Sequence, residues 1–163
     1  MASITIDEVY SRFFTKAEAF DLARFDYEHQ DVIDSMLNEW FRSAIFYPHI
    51  QKLFSEFTLD EEEKSVTFVM AYPINDQYDR DFVHEVLSYG MVYGWVNPKV
   101  NSITNITQFF GETDTKYYSQ AMHLSELRAL RDDIELKIRR LVRDRSFFKN
   151  QYLDGNSASA SLR

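Results

Sequence analysis

The chain has 163 residues, 45% hydrophobic and 16% aromatic, which suits one compact core and excludes a chain disordered by composition. It has no cysteine, so disulfides, thiolate nucleophiles and cysteine-ligated metals are excluded. Its formal charge of −8 argues against a nucleic-acid binder, because phosphate contact needs concentrated cation.

The charge is uneven. Residues 1–120 carry nine Lys/Arg against twenty Asp/Glu, and residues 121–163 carry nine against six, so an acidic body precedes a mildly basic C-terminal part. The start, MASITIDEVY, has neither a basic patch nor an apolar run and does not read as a signal peptide. The most apolar window, residues 82–96, contains His84 and Glu85 and is too short for a bilayer. A soluble, cytoplasmically made protein is expected.

Thr5 is placed to cap a first helix with Asp7 and Glu8 in its first turn and Val9, Phe13 and Phe14 on its apolar side. The TKAEAFDLARFD segment reads as a connection or short helix. A second helix is expected over residues 28–46, with Asp26 as its best N-cap. Val32, Ile33, Met36, Leu37, Trp40, Ala44 and Ile45 recur there at three-and-four spacing, and Pro48 stops or kinks it. The run Asp60-Glu61-Glu62-Glu63, between β-branched and aromatic flanks, predicts a small hairpin pairing 54–58 with 66–70; a continued helix is the alternative.

A third helix is expected to start at Asp79 or Asp81, run to about Val96 and end at Asn97-Pro98. Its residues are apolar on more than one side, the pattern of a central buried helix. Gly90 and Gly94 lie four apart, and the cost of glycine inside a helix, about 1 kcal/mol, points to close approach by a neighbour. The last helix is expected from Ser119 to about Phe148. Leu124, Leu127, Leu130, Ile134, Ile138, Leu141 and Phe148 form a narrow stripe, and the other positions are densely charged. The fold class that follows is mainly α: a bundle of about four helices with a long C-terminal helix and a small hairpin near 54–70. It forms a single domain over 1–153 and a flexible tail over 154–163.

Catalytic signatures are scarce. His29, His49, His84 and His123 make no HExxH motif and no i, i+4 pair, so each reads as a surface or hydrogen-bonded histidine. Four glycines form no phosphate loop, and there is no GxSxG elbow. Asn105-Ile106-Thr107 matches a glycosylation sequon but follows no secretory signal. Asp79, Asp81 and Glu85 could place two carboxylates on one helix face, the raw material of an acid–base or metal site, although helix-end complementation is the simpler reading. Arg139, Arg140, Arg143 and Arg145 lie among Asp132, Asp133, Glu135 and Asp144, which favours a salt-bridged helix surface over a phosphate-binding one. No catalytic, cofactor-binding or metal-binding residue is assigned.

Residues 86–152 carry three motifs: VLSYGMVYGWVNP, then an N-x-x-x-F-F-G-x-x-D-x-K-x-Y-S connection, then SQAMHLSELRALRDDIELKIRRLV. Gly90, Met91, Val92, Trp95 and Pro98 stand in the first, with Val96 at a leucine position of the family pattern. Asp114, Lys116, Tyr118 and Ser119 stand in the second, and Leu124, Leu127, Leu130 and Arg131 in the third. This part of the chain resembles the head–tail connector (neck or adaptor) proteins of tailed bacteriophages. The N-terminal half departs from that pattern in its aromatic SAIFYPHIQKLFSEF segment.

The resemblance implies a non-enzymatic homo-oligomeric ring, usually a dodecamer, between the portal protein and a tail or stopper protein. DNA passes through it without specific binding. The implied location is the virion neck, assembled in the host cytoplasm with no membrane. Phe109, Phe110, Tyr117 and Tyr118 in the connection, Arg139, Arg140 and Arg143 on the last helix, and Leu162 and Arg163 in the tail are the interface candidates. The alternatives are another tail-completion, stopper or minor capsid protein and, from a different class, a small enzyme or regulator using Asp79, Asp81 and Glu85.

Overall fold

The structure, a computed structural model, describes residues 1–19, 30–109 and 114–147. In chain order the elements are β1 (Ala2–Thr5), α1 (Ile6–Ala19), α2 (Gln30–Ile45), α3 (Pro48–Gln51), β2 (Phe54–Asp60), β3 (Ser65–Met70), α4 (Asp76–Phe109) and α5 (Asp114–Phe147). The expected mainly helical fold with a long C-terminal helix is the one formed. The hairpin is part of a three-stranded antiparallel sheet in the order β1-β3-β2.

The acidic turn folds as a turn because Asp60 Oδ1 accepts the N–H groups of Glu62 at 3.0 Å and Glu63 at 2.9 Å. Lys64 then takes a left-handed φ of 47°, and its carbonyl accepts the Ile6 N–H at 2.9 Å. The hairpin register joins Phe54 to Met70 and Leu59 to Val66. β1 adds to the other side of β3, with Ile4 opposite Val66. Ala2, Ile4, Val66, Phe68 and Met70 bury one face of the sheet. Thr5 ends β1, and Glu8 Oε2 accepts both its N–H at 3.3 Å and its hydroxyl at 2.9 Å, the returning half of a capping box that starts α1.

α2 buries Ile33, Leu37, Trp40, Phe41, Ala44 and Ile45. Val32 and Met36, expected on that face, are exposed, because the stripe is centred one position further along the chain. The helix ends at Ile45, and Pro48 begins the one-turn α3, where its missing N–H is no loss.

α4 is the centre of the molecule and packs against α1, α2 and α5. Val83, Val86, Leu87, Met91, Val92 and Val96 are sealed from solvent. Gly90 faces Ala44 and Gly94 faces Ser43, so the two glycines mark where α2 closes onto α4, as their spacing predicts. Phe13, Trp40 and Trp95 stack where α1, α2 and α4 meet, with ring centres 5.5 to 6.3 Å apart. The Tyr89 ring lies between Lys16 of α1 at 4.4 Å and Lys137 of α5 at 4.6 Å.

Two boundaries of α4 differ from the expectation. It starts at Asp76, because the Asn75 side chain accepts the Tyr78 N–H at 2.8 Å and acts as the cap. It also continues through Pro98 to Phe109. The proline removes one hydrogen bond and crowds the Gly94 carbonyl, but buried Val96 and Val100 hold the helix on both sides, and Lys99 lies 3.9 Å over the Trp95 ring. The Asn/Thr-rich stretch expected as a loop is therefore the last part of a helix about 51 Å long. α5 likewise starts at Asp114, five residues before Ser119. Leu124, Leu127, Ile134 and Ile138 are its buried stripe, with Leu130 and Leu141 partly covered.

Candidate functional site

The carboxylates on the α4 face do not form one site. Asp79 is buried and pairs with the buried Arg145 near the end of α5; it also accepts the Ile74 N–H at 3.2 and 3.3 Å. Asp81 and Glu85 face α1 instead. Arg12 reaches Asp81 at 3.0 Å and Glu85 at 3.9 Å, and Lys16 reaches Glu85 at 2.8 Å. The hydrogen bond from Gln77, followed by Arg12, holds the Asp81 carboxyl below its usual range. Among the described residues no group of three or more His, Asp or Glu side chains is placed to hold a metal ion. These carboxylates tie α4 to α1 on one side and to α5 on the other.

A polar cleft of about 500 Å³ opens beside this strip, between β1, the first turns of α1 and the start of α4. Glu8, Arg12, Gln77, Arg80, Asp81 and His84 line it. His84, expected as a surface or hydrogen-bonded histidine, is buried rather than at the surface, with the Glu8 carboxylate as its polar neighbour. Its Nε2 lies 3.2 Å from Glu8 Oε2. Burial lowers the His84 pKa more than the Glu8 carboxylate raises it, so the ring is held neutral. Glu8 itself is held below its usual range, chiefly by Thr5. A second cleft of about 240 Å³ separates α1, α2 and the hairpin. In it the Tyr10 hydroxyl donates to Asn38 at 2.7 Å, and burial raises the Tyr10 pKa to about 12.

The interface candidates fall in three groups. Arg139, Arg140 and Arg143 are exposed along α5. Arg139 pairs with Glu135 at 2.6 Å and Arg143 with Asp144 at 3.0 Å, which is the salt-bridged surface the charge pattern favours. Arg145 leaves that group, because it is buried against Asp79. Phe109 closes α4, and Tyr117 and Tyr118 lie in the first turns of α5. Phe110, Leu162, Arg163, Asp26, His29, Phe148 and the 154–163 tail lie outside the described residues.

Sequence reasoning did not single out Arg12, Lys16 and Arg80, which lie on or beside the α1–α4 strip, or the role of Arg145. Long-range pairs such as Arg12 with Asp81 leave no spacing signal. The Thr5-x-x-Glu8 pattern at the rim of the cleft is legible as a capping box.

No protein-family model, no curated protein and no solved structure matches the chain.

Proposed function

We propose that this protein is a non-enzymatic structural component of a tailed-phage virion: a head–tail connector that forms a ring between the portal and the tail and lets DNA pass. The observation that carries the reading is where the connector-like residues lie. Gly90, Met91, Val92 and Trp95 are buried along α4, and Gly90 faces α2. Leu124 and Leu127 are buried on α5, the helix packed beside it. The first and third motifs therefore fall on the two long helices around which the molecule is built, while Asp114, Lys116, Tyr118 and Ser119 of the second lie in the first turns of α5.

Two features agree with this reading. The polar groups brought together on α4 are used in pairs that fix helices. The acidic body suits a channel wall that must not retain DNA. The partners on this reading are the portal protein, a tail or stopper protein and further copies of this chain in a ring, expected to be twelve-fold. A particle reconstruction tests it. The reading predicts the two 34-residue helices as repeated rods between portal and tail. Density for this chain in the capsid shell, or none in the particle, would reject it.

A further inference from the structure

The strand order β1-β3-β2 leaves β2 at one edge of the sheet. The alternation of an antiparallel ladder says which of its backbone groups face outward. The Ile6 N–H reaches the Lys64 carbonyl, so Ile4 and Ala2 exchange hydrogen bonds with Val66 and Phe68. Val66 and Phe68 therefore turn their backbone groups toward β1, and Ser65, Thr67 and Val69 turn theirs toward β2. On β2 the bonded residues are then Asp60, Thr58 and Glu56, and the N–H and C=O groups of Phe57 and Leu59 face away from the sheet. Among the described residues no backbone hydrogen bond reaches these outward groups. The bulge between Phe54 and Glu56 ends the regular stretch.

Lysine and proline are the usual guards of an edge strand, and β2, which reads FSEFTLD, has neither. Its two faces differ. Phe57 and Leu59 lie beside the buried Phe68 and Val66 and are half-buried themselves. Glu56, Thr58 and Asp60 are exposed on the opposite face. A strand added here would cover the Phe57–Leu59 row with apolar side chains and set its alternate side chains beside Glu56 and Asp60, where cations are favoured. The cleft of about 240 Å³ that Leu59 shares with Tyr10 and Phe41 leaves space at one end of the row for an inward side chain of that strand. A second copy of this chain is a poor match. An antiparallel β2 that pairs both Phe57 and Leu59 puts Glu56 of each copy opposite Asp60 of the other, and like charges facing across strands are destabilising. β1 of a second copy has no charged residue, and its Thr5 N–H is already held by Glu8.

We infer that β2 is a docking edge for an extended segment of a different protein, one that alternates apolar residues with lysine or arginine. The segment lies as a fourth strand beside β2, exchanges main-chain hydrogen bonds with Phe57 and Leu59, and sets its cations against Glu56 and Asp60. The inference is independent of the connector reading, which rests on α4 and α5 and not on the hairpin.

The test is to titrate the full chain with a peptide of alternating valine and lysine, as long as β2, and to follow amide exchange residue by residue by NMR. In the free protein the Phe57 and Leu59 amides are expected to exchange fast. Saturating peptide should slow both by about tenfold or more and leave unchanged the amide of Ser3, which faces outward on the other edge. The same peptide with glutamate in place of lysine should not slow them. Glu56→Lys, at an exposed position, should weaken the lysine peptide several-fold and let the glutamate peptide bind. Protection of both amides in the free protein would overturn the inference, since the edge would already be covered by the chain itself or, where protection grows with protein concentration, by a second copy. So would lysine-peptide binding that leaves these amides fast, equal slowing by the two peptides, or no slowing at millimolar peptide.

Discussion

A methyl group added at position 90 would sit 2.7 Å from Ala44 Cβ and 2.9 Å from Ile50 Cδ1, with the Ala44 backbone just behind. Helix propensity favours Gly→Ala by about 1 kcal/mol. At position 90 overpacking wins, because α2 must move, and Gly90→Ala should destabilise by about 1–3 kcal/mol. At position 94 the nearest atoms are Ser43 Oγ at 3.1 Å and Cβ at 3.2 Å, which yield more easily. There the two effects are similar in size, and Gly94→Ala should change stability by less than about 0.5 kcal/mol. Urea denaturation of both variants checks this order; equal midpoints would remove the argument for close approach at Gly90. His84 gives a prediction in pH. Burial depresses its folded pKa below the unfolded value of 6.5, so the unfolded chain binds the proton more readily. The stability that depends on neutral His84 is complete above 6.5 and is lost as pH falls through the folded value. His84→Gln should therefore lose less stability than the parent between pH 7.5 and 5.5, and parallel losses would contradict this.

At the scale of elements, the Asp79–Arg145 pair joins the start of α4 to the end of α5. Arg145→Met leaves a buried carboxylate without its cation and should cost about 3–5 kcal/mol. Adding Asp79→Asn keeps an acceptor for the Ile74 N–H and removes the stranded charge. The double variant should then lose clearly less than the sum of the singles, and strict additivity in denaturant melts would show that the pair is not coupled. Pro98 works against its own helix, so Pro98→Ala should stabilise by about 2 kcal/mol; a lower melting temperature would mean that the proline contributes packing that α4 needs. These two features also separate what was legible in the sequence from what was not. The α4 core face and the α5 stripe were legible because three-and-four spacing is a local signal. The hairpin was legible because Asp60 opens a turn between β-branched flanks. β1 was missed because four residues, with only Ala2 and Ile4 turned inward, carry almost no pattern. The Pro98 boundary was misplaced because burial of Val96 and Val100 by neighbouring helices overrides local propensity. Arg145 read as one more surface arginine because its partner lies 66 residues away. The carboxylate face was legible as a cluster, but its division between α1 and α5 depends on tertiary packing.

At the scale of the whole molecule, two 34-residue helices run through a small acidic body. Deleting residues 154–163 should leave the melting temperature of the isolated protein unchanged and weaken its assembly with portal. Normal assembly after the deletion would assign those contacts elsewhere. The connector reading itself is tested most directly by affinity purification of tagged protein from cells producing the intact virus, with the co-purifying proteins identified by mass spectrometry. The account predicts portal and tail-completion proteins in stoichiometric amounts. Recovery of host cytoplasmic proteins alone, with portal absent, would contradict it.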